Sequence, residues 1–134
     1  MLAHFAVTCA LVGLIWTIQI VQYPLFDRVG REAFPAWHAA YTAAITWVVA
    51  PLMLAELASA LWLLGVVGHR EPAFLVSLAA LALVWMATVF VQVPLHGRLA
   101  HGFDAVSHRR LVRSNWLRTS AWTLRACLLH SLLA

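Results

Sequence analysis

Three stretches of this chain, residues 1–26, 33–55 and 72–97, contain no Asp, Glu, Lys or Arg. Each is longer than the ~20 residues a helix needs to cross ~30 Å of hydrocarbon. A fourth run, residues 119–134, is shorter and holds one charge, Arg125. Of the 134 residues, 63% are hydrophobic and 10% charged, whereas a soluble domain carries about 25% charged residues. An ordinary soluble globule and a disordered chain are thereby excluded. The reading is an all-α integral membrane protein, a four-transmembrane-helix bundle forming a single domain over residues 1–134.

The two halves resemble one another. A shift of 70 residues places Gln22 on Gln92, Pro24 on Pro94, Leu25 on Leu95, Arg28 on Arg98 and His38 on His108. Gln, Pro, Arg and His are rare in this chain, so their shared spacing carries the argument. Two tandem helical hairpins are expected, residues 1–68 and 71–134. Two crossings per unit return the chain to its starting side, so both units share one orientation about an axis along the membrane normal.

Helices are expected over residues 2–26, 35–67, 72–95 and 105–133. Pro24 can end or kink the first. Pro35 suits the first position of the second, and Asp104 is a good cap for the fourth. The second would be ~50 Å long and the fourth ~44 Å, so their first turns project beyond the hydrocarbon. The N-terminus lacks the basic start and cleavage site of a signal peptide, so the first helix is expected to be retained.

All nine basic residues are Arg, and the net charge is +4. Arg28, Arg31, Arg98, Arg109, Arg110, Arg113 and Arg118 cluster at the two repeated turns, whereas only Arg70 lies opposite. The positive-inside rule then puts these turns in the cytoplasm and both termini outside, as in a bacterial inner membrane. Nucleic acid is not an expected partner, because the Arg residues flank spans. The expected partners are the lipid bilayer and a small hydrophobic or anionic ligand.

The cytoplasmic end gathers Gln22, Arg28 and His38 with Gln92, His96, Arg98 and His108. His38, His96 and His108 could ligate a metal or haem iron, or exchange protons with a substrate. They could equally cap turns, and no short ligand spacing favours a metal. His108, Leu111, Asn115, Arg118, Trp122 and Arg125 follow one another at steps of three and four, which puts them on one helical face. Thr88, Gln92 and His96 do the same at steps of four. Such stripes line a polar pocket or bond helices together.

Glu56 and Arg125 are expected at nearly one depth, where pairing relieves an intramembrane carboxylate. His4, Cys9, His69, Cys127 and His130 fall toward the other end, where a soft metal is conceivable; buried Cys is more commonly plain packing. Trp37 and Trp116 suit an interfacial belt. Trp16, Trp47, Trp85 and Trp122 suit packing, the commoner use of buried aromatics, and could also stack on a flat ligand.

Tyr23-Pro24-Leu25-Phe26 with Phe34, His38, Pro51 and Glu56 resembles a group of small uncharacterised bacterial membrane proteins. Val93-Pro94-Leu95-His96 followed by Asn115, Trp116, Leu117, Arg118 and Thr119 resembles the same group. This second stretch is also remotely similar to the anthrone-oxygenase-like domain family, through Val93, Pro94, Leu95, Asn115, Arg118 and Thr119. That resemblance implies oxygenation of a flat phenolic compound without a dedicated organic cofactor. The turn departs from the family pattern at His96, where Asn is usual.

The expected function is an oxygenase or oxidoreductase for a hydrophobic aromatic or quinone-like substrate. His96 and His108 would move a proton, with Gln92 orienting. Asn115, Arg118, Arg98, Gln22, His38 and Trp122 would bind substrate. The alternative is a non-catalytic binding, transport or accessory subunit that recognises an anionic lipid or a carboxylate.

Overall fold

The computed structural model describes residues 1–67 and 71–133. Among them the chain is all-helical and forms four long helices. Helix α1 covers Leu2–Arg28, α2 Phe34–Val67, α3 Pro72–Leu99 and α4 Ala105–Ser131. The first three are long and apolar enough to cross a membrane. Helix α4 is as long as a span, but it carries Arg109, Arg110, Arg113, Arg118 and Arg125.

Helices α1 and α3 run further than the sequence suggests, reaching Arg28 and Leu99 rather than stopping near residues 26 and 95. Proline accounts for the difference. Its ring collides with the carbonyl four residues earlier in an α-helix, and it has no N–H to donate. Here the helix widens instead of ending. Residues Ile18–Gln22 and Thr88–Gln92 form π-helical turns, closed by bonds from the Tyr23 N–H to the Ile18 carbonyl and from the Val93 N–H to the Thr88 carbonyl. Pro24 and Pro94 come immediately after these bonds. Beyond them α1 tightens into a 3-10 helix, Tyr23–Arg28, while α3 resumes as an α-helix, Val93–Leu99. The wider turn makes the room each proline ring needs.

Helix α4 starts where its cap predicts. Asp104 has extended backbone, and its carboxylate accepts from the Val106 amide at 3.2 Å and the Ser107 amide at 2.8 Å. Bonds from Ser107 and Val106 hold this carboxyl below its ordinary value. Gly102 allows the turn before it, with a φ of 144° that other residues rarely adopt.

Helix α4 packs against α1 and α3, while α2 packs chiefly on α1. The core is formed by Leu11, Ile15, Phe26, Phe34, Val84, Leu99, Leu111 and Trp122. Helix α2 is the outlying member, exposing Trp47, Leu54, Leu61 and Trp62. Trp47, assigned to packing from the sequence, is 83% exposed, because α2 meets the bundle along one side only.

On α4 the residues of the predicted stripe, His108, Leu111, Asn115, Arg118, Trp122 and Arg125, are all buried. The opposite face presents Trp116, Leu117 and Leu124. The polar side chains of this stripe therefore turn inward, where most of their polar atoms find partners.

Candidate functional site

Two polar layers lie between the helices. The upper layer, toward the chain ends, centres on Glu56 and Arg125, both fully buried. Arg125 Nη2 is 3.1 Å from Glu56 Oε1. Glu56 also accepts from the Thr8 hydroxyl at 2.8 Å and from the Trp122 indole at 2.9 Å. Arg125 donates to the Ser77 carbonyl and to the Ser77 hydroxyl, and lies 3.3 Å from His4 Nε2. Guanidinium can only donate, so His4 Nε2 accepts and Nδ1 carries the proton toward Ser59 Oγ, 2.7 Å away. No buried side-chain nitrogen or oxygen of this layer lacks a partner among the described residues.

The lower layer is open. A cavity of about 380 Å³ lies between α2 and α3, floored by α1 and α4. Its walls are apolar, with Ile45, Val49, Met53, Leu54, Val89 and Val93 among them. Its polar atoms come from Tyr23, Tyr41, Thr46, Thr88, Gln92, His96, Arg118 and the half-buried Trp85. Three of these residues hold buried polar atoms with no partner among the described residues: Trp85 Nε1, Gln92 Oε1 and Arg118 Nε. Unpaired buried polar atoms are uncommon and costly. Two donors and one acceptor around one cavity form a set that a polar ligand would complete.

Arg118 is 4% exposed. Its Nη1 donates to Asn115 Oδ1 at 3.1 Å, and its guanidinium lies 5.1 Å from the centre of the Trp122 ring. Asn115 is itself fixed by donating to Gln19 Oε1 at 2.9 Å. None of these partners is a carboxylate. The ion pairs among the described residues are Arg28 with Asp27 and Arg125 with Glu56. Arg118 is thus a buried cation facing a cavity without a counter-ion.

Beside it runs a chain of three titratable groups. Tyr23 Oη is 2.9 Å from His96 Nε2, and His96 Nδ1 is 3.0 Å from His38 Nε2. His38 Nδ1 is buried and has no partner among the described residues. A neutral imidazole has one N–H and one bare nitrogen. A proton entering His96 from Tyr23 therefore displaces one toward His38. Both ring nitrogens of His96 are engaged, so a ligand proton reaches them by way of the Tyr23 hydroxyl.

The sequence-derived residues divide by position. Thr88, Gln92, His96 and Arg118 line the cavity. His38 joins it through His96, and Asn115 and Trp122 through Arg118. Gln22 sits one step away, its Oε1 accepting from Tyr41 at 2.7 Å. His108 lies elsewhere: its Nε2 donates to the Tyr23 carbonyl at 2.7 Å, and its ring stacks on Phe26. Arg98 faces a separate groove with Arg110 and Arg113.

Among the described residues, no three His, Cys, Asp or Glu side chains converge as a metal site requires. Cys9 and Cys127 are exposed rather than gathered, and His69 and Arg70 lie outside the described residues. Tyr23, Tyr41 and Trp85 also line the cavity, although the sequence alone does not mark their polar atoms as site groups. Tyr41 lies three residues after His38, on the same helical face, which was the available signal. No protein family, curated protein or solved structure matches the chain.

Proposed function

We propose that this is a four-helix integral membrane oxygenase or oxidoreductase acting on a small phenolic or quinol-type substrate held in the cavity between α2 and α3. The observation that carries this reading is Arg118, a buried cation without a carboxylate, beside the Tyr23–His96–His38 chain. A phenol or hydroquinone becomes electron-rich when it loses a proton. Losing it in a low-dielectric cavity requires an acceptor for the proton and a cation for the oxyanion. Tyr23 takes the ligand proton while passing its own to His96, and His96 passes one to His38. Arg118 holds the anion through its free Nε–H, and Gln92 Oε1 accepts from a second hydroxyl. From a hydroquinone, dioxygen then takes two electrons and two protons, one of them returned along the row from His38, leaving quinone and hydrogen peroxide.

In this reading all four helices cross the membrane, which suits an apolar substrate. Arg118 and Arg125 of α4 turn inward and leave Trp116, Leu117 and Leu124 for lipid. Helices α2 and α3 flank the cavity with few close approaches between them, so an apolar ligand enters sideways from the bilayer. The Arg-rich turns lie in the cytoplasm of a bacterial inner membrane, with the termini outside. The π turns 70 residues apart, each followed by proline, support the two tandem hairpin units.

The test uses purified protein in mild detergent with 1,4-naphthohydroquinone, reading oxygen uptake. The wild type is expected to accelerate conversion of hydroquinone and dioxygen to quinone and hydrogen peroxide above the rate in empty micelles. If the quinone binds while uptake stays at the micelle rate, the catalytic reading fails and a binding role remains.

A further inference from the structure

A second concavity, a groove of about 410 Å³, lies on the outer surface between the last turns of α3 and the first turns of α4. Arg98, Arg110 and Arg113 line it, all exposed. None of the three meets a carboxylate among the described residues. Phe90 and Val91 line its other part. From Arg98 back to Phe90 the helix rises ~12 Å. Arg98 and Arg110 therefore lie toward the Arg-rich end of the bundle, Arg113 lies deeper beside Ser114, and the apolar strip of Phe90 and Val91 continues toward the middle of α3.

We propose that this groove seats an anionic phospholipid, its phosphate among Arg98, Arg110 and Arg113 and an acyl chain along Phe90 and Val91. The order of the chemistry decides the class. A soluble phosphate would use the guanidinium groups and leave the apolar strip bare. A lipid uses both, in the orientation it has in a leaflet. Arg suits the phosphate because its planar fork offers paired donors. The groove also touches the cavity through one bond. Ser114 lines the groove and accepts from Gln92 Nε2 at 2.9 Å, and Gln92 lines the cavity. A lipid seated against Ser114 therefore bears on the amide that presents its free oxygen to the cavity.

The assignment rests on the membrane reading, which is measured separately by whether the protein stays with the membrane pellet after alkaline carbonate washing. The binding test takes delipidated protein in detergent. It titrates dioleoyl phosphatidylglycerol, dioleoyl phosphatidylcholine and inorganic phosphate, and counts bound molecules by native mass spectrometry. Phosphatidylglycerol is expected to bind at least ~tenfold more tightly than phosphatidylcholine, since each surface Arg favours an anionic headgroup. The triple variant Arg98→Gln, Arg110→Gln, Arg113→Gln is expected to lose that preference. The pair Arg28→Gln, Arg31→Gln in the other turn is expected to keep it. Single Arg110→Gln, expected to reduce the preference about threefold, replaces the triple variant if that one does not fold. Equal binding of the two lipids overturns the proposal. So does a preference that survives the Arg substitutions in the groove, or one lost equally in the control pair. Displacement of phosphatidylglycerol by millimolar inorganic phosphate would make the groove a site for soluble anions instead.

Discussion

Nε2 of His38 lies 3.0 Å from Nδ1 of His96, so one hydrogen must lie between the two imidazoles. The far nitrogen of His96 meets the Tyr23 hydroxyl at 2.9 Å. The position of any one proton in this row fixes the others. The cavity is thereby connected to a histidine that does not line it.

Removing the link should separate chemistry from binding. Tyr23→Phe and His96→Ala are expected to slow naphthohydroquinone oxidation by ~100-fold, the usual scale for a lost acid–base group. Quinone affinity, read by tryptophan quenching, should change by less than about threefold. Trp85→Phe should remove most of the quenching, because Trp85 lines the cavity. Equal losses of rate and affinity in Tyr23→Phe and His96→Ala would mean that the row only shapes the pocket.

Arg118 offers a sharper contrast. Replacing it with Met keeps the length and removes a buried charge that has no carboxylate partner. Affinity for an anionic hydroxynaphthoquinone should fall at least ~tenfold, the scale of a charged hydrogen bond. The melting temperature of the ligand-free protein should hold or rise, since an unpaired buried charge is costly. A drop of many degrees would instead make Arg118 a brace for the bundle.

Glu56 should behave in the opposite way. It accepts from Thr8, Trp122 and Arg125 at once. Glu56→Gln leaves Arg125 without its counter-ion and should cost about 3 kcal/mol. Denaturation in detergent would read it, and Glu56→Gln with Arg125→Met should recover part of the loss. An unchanged melting curve for the single variant would remove the pair from any account of stability.

Asp104 gives a dependence on acid. Folding holds its carboxyl below the ordinary value, through bonds from Ser107 and Val106. Its stabilisation is full above about pH 4 and is lost as the pH falls through the folded value. Asp104→Ala should melt a few degrees below wild type at neutral pH, and the gap should narrow on acidification. Asp104→Asn still caps, so its melting should lie nearer wild type and vary less with pH.

The sequence carried the large features because their causes are local. Charge-free runs, the Asp104 cap and the steps of three and four on α4 each depend on neighbours within a few turns. The reach of α3 past Pro94 was hidden, since proline ordinarily ends or kinks a helix and nothing nearby signals a π turn. The cavity was half legible. Gln92, His96 and Arg118 stand out as polar residues in apolar surroundings, whereas Tyr23, Tyr41 and Trp85 look like ordinary packing aromatics. That α2 leans on α1 and leaves space beside α3 is a property of helix arrangement, which no single helix encodes. His108 misleads for the same reason: its spacing matches that of His38, but its neighbour in space is the Tyr23 carbonyl.

The two π turns end in Gln22 and Gln92, each two residues before a proline. The same local construction meets different company. Tyr41 donates to the amide oxygen of Gln22, while that of Gln92 has no partner among the described residues. Two turns of the same construction thus give one engaged amide oxygen and, among the described residues, one free. In terms of stoichiometry, this pair offers a ligand one receptive amide oxygen per chain rather than two, although the sequence counts the element twice.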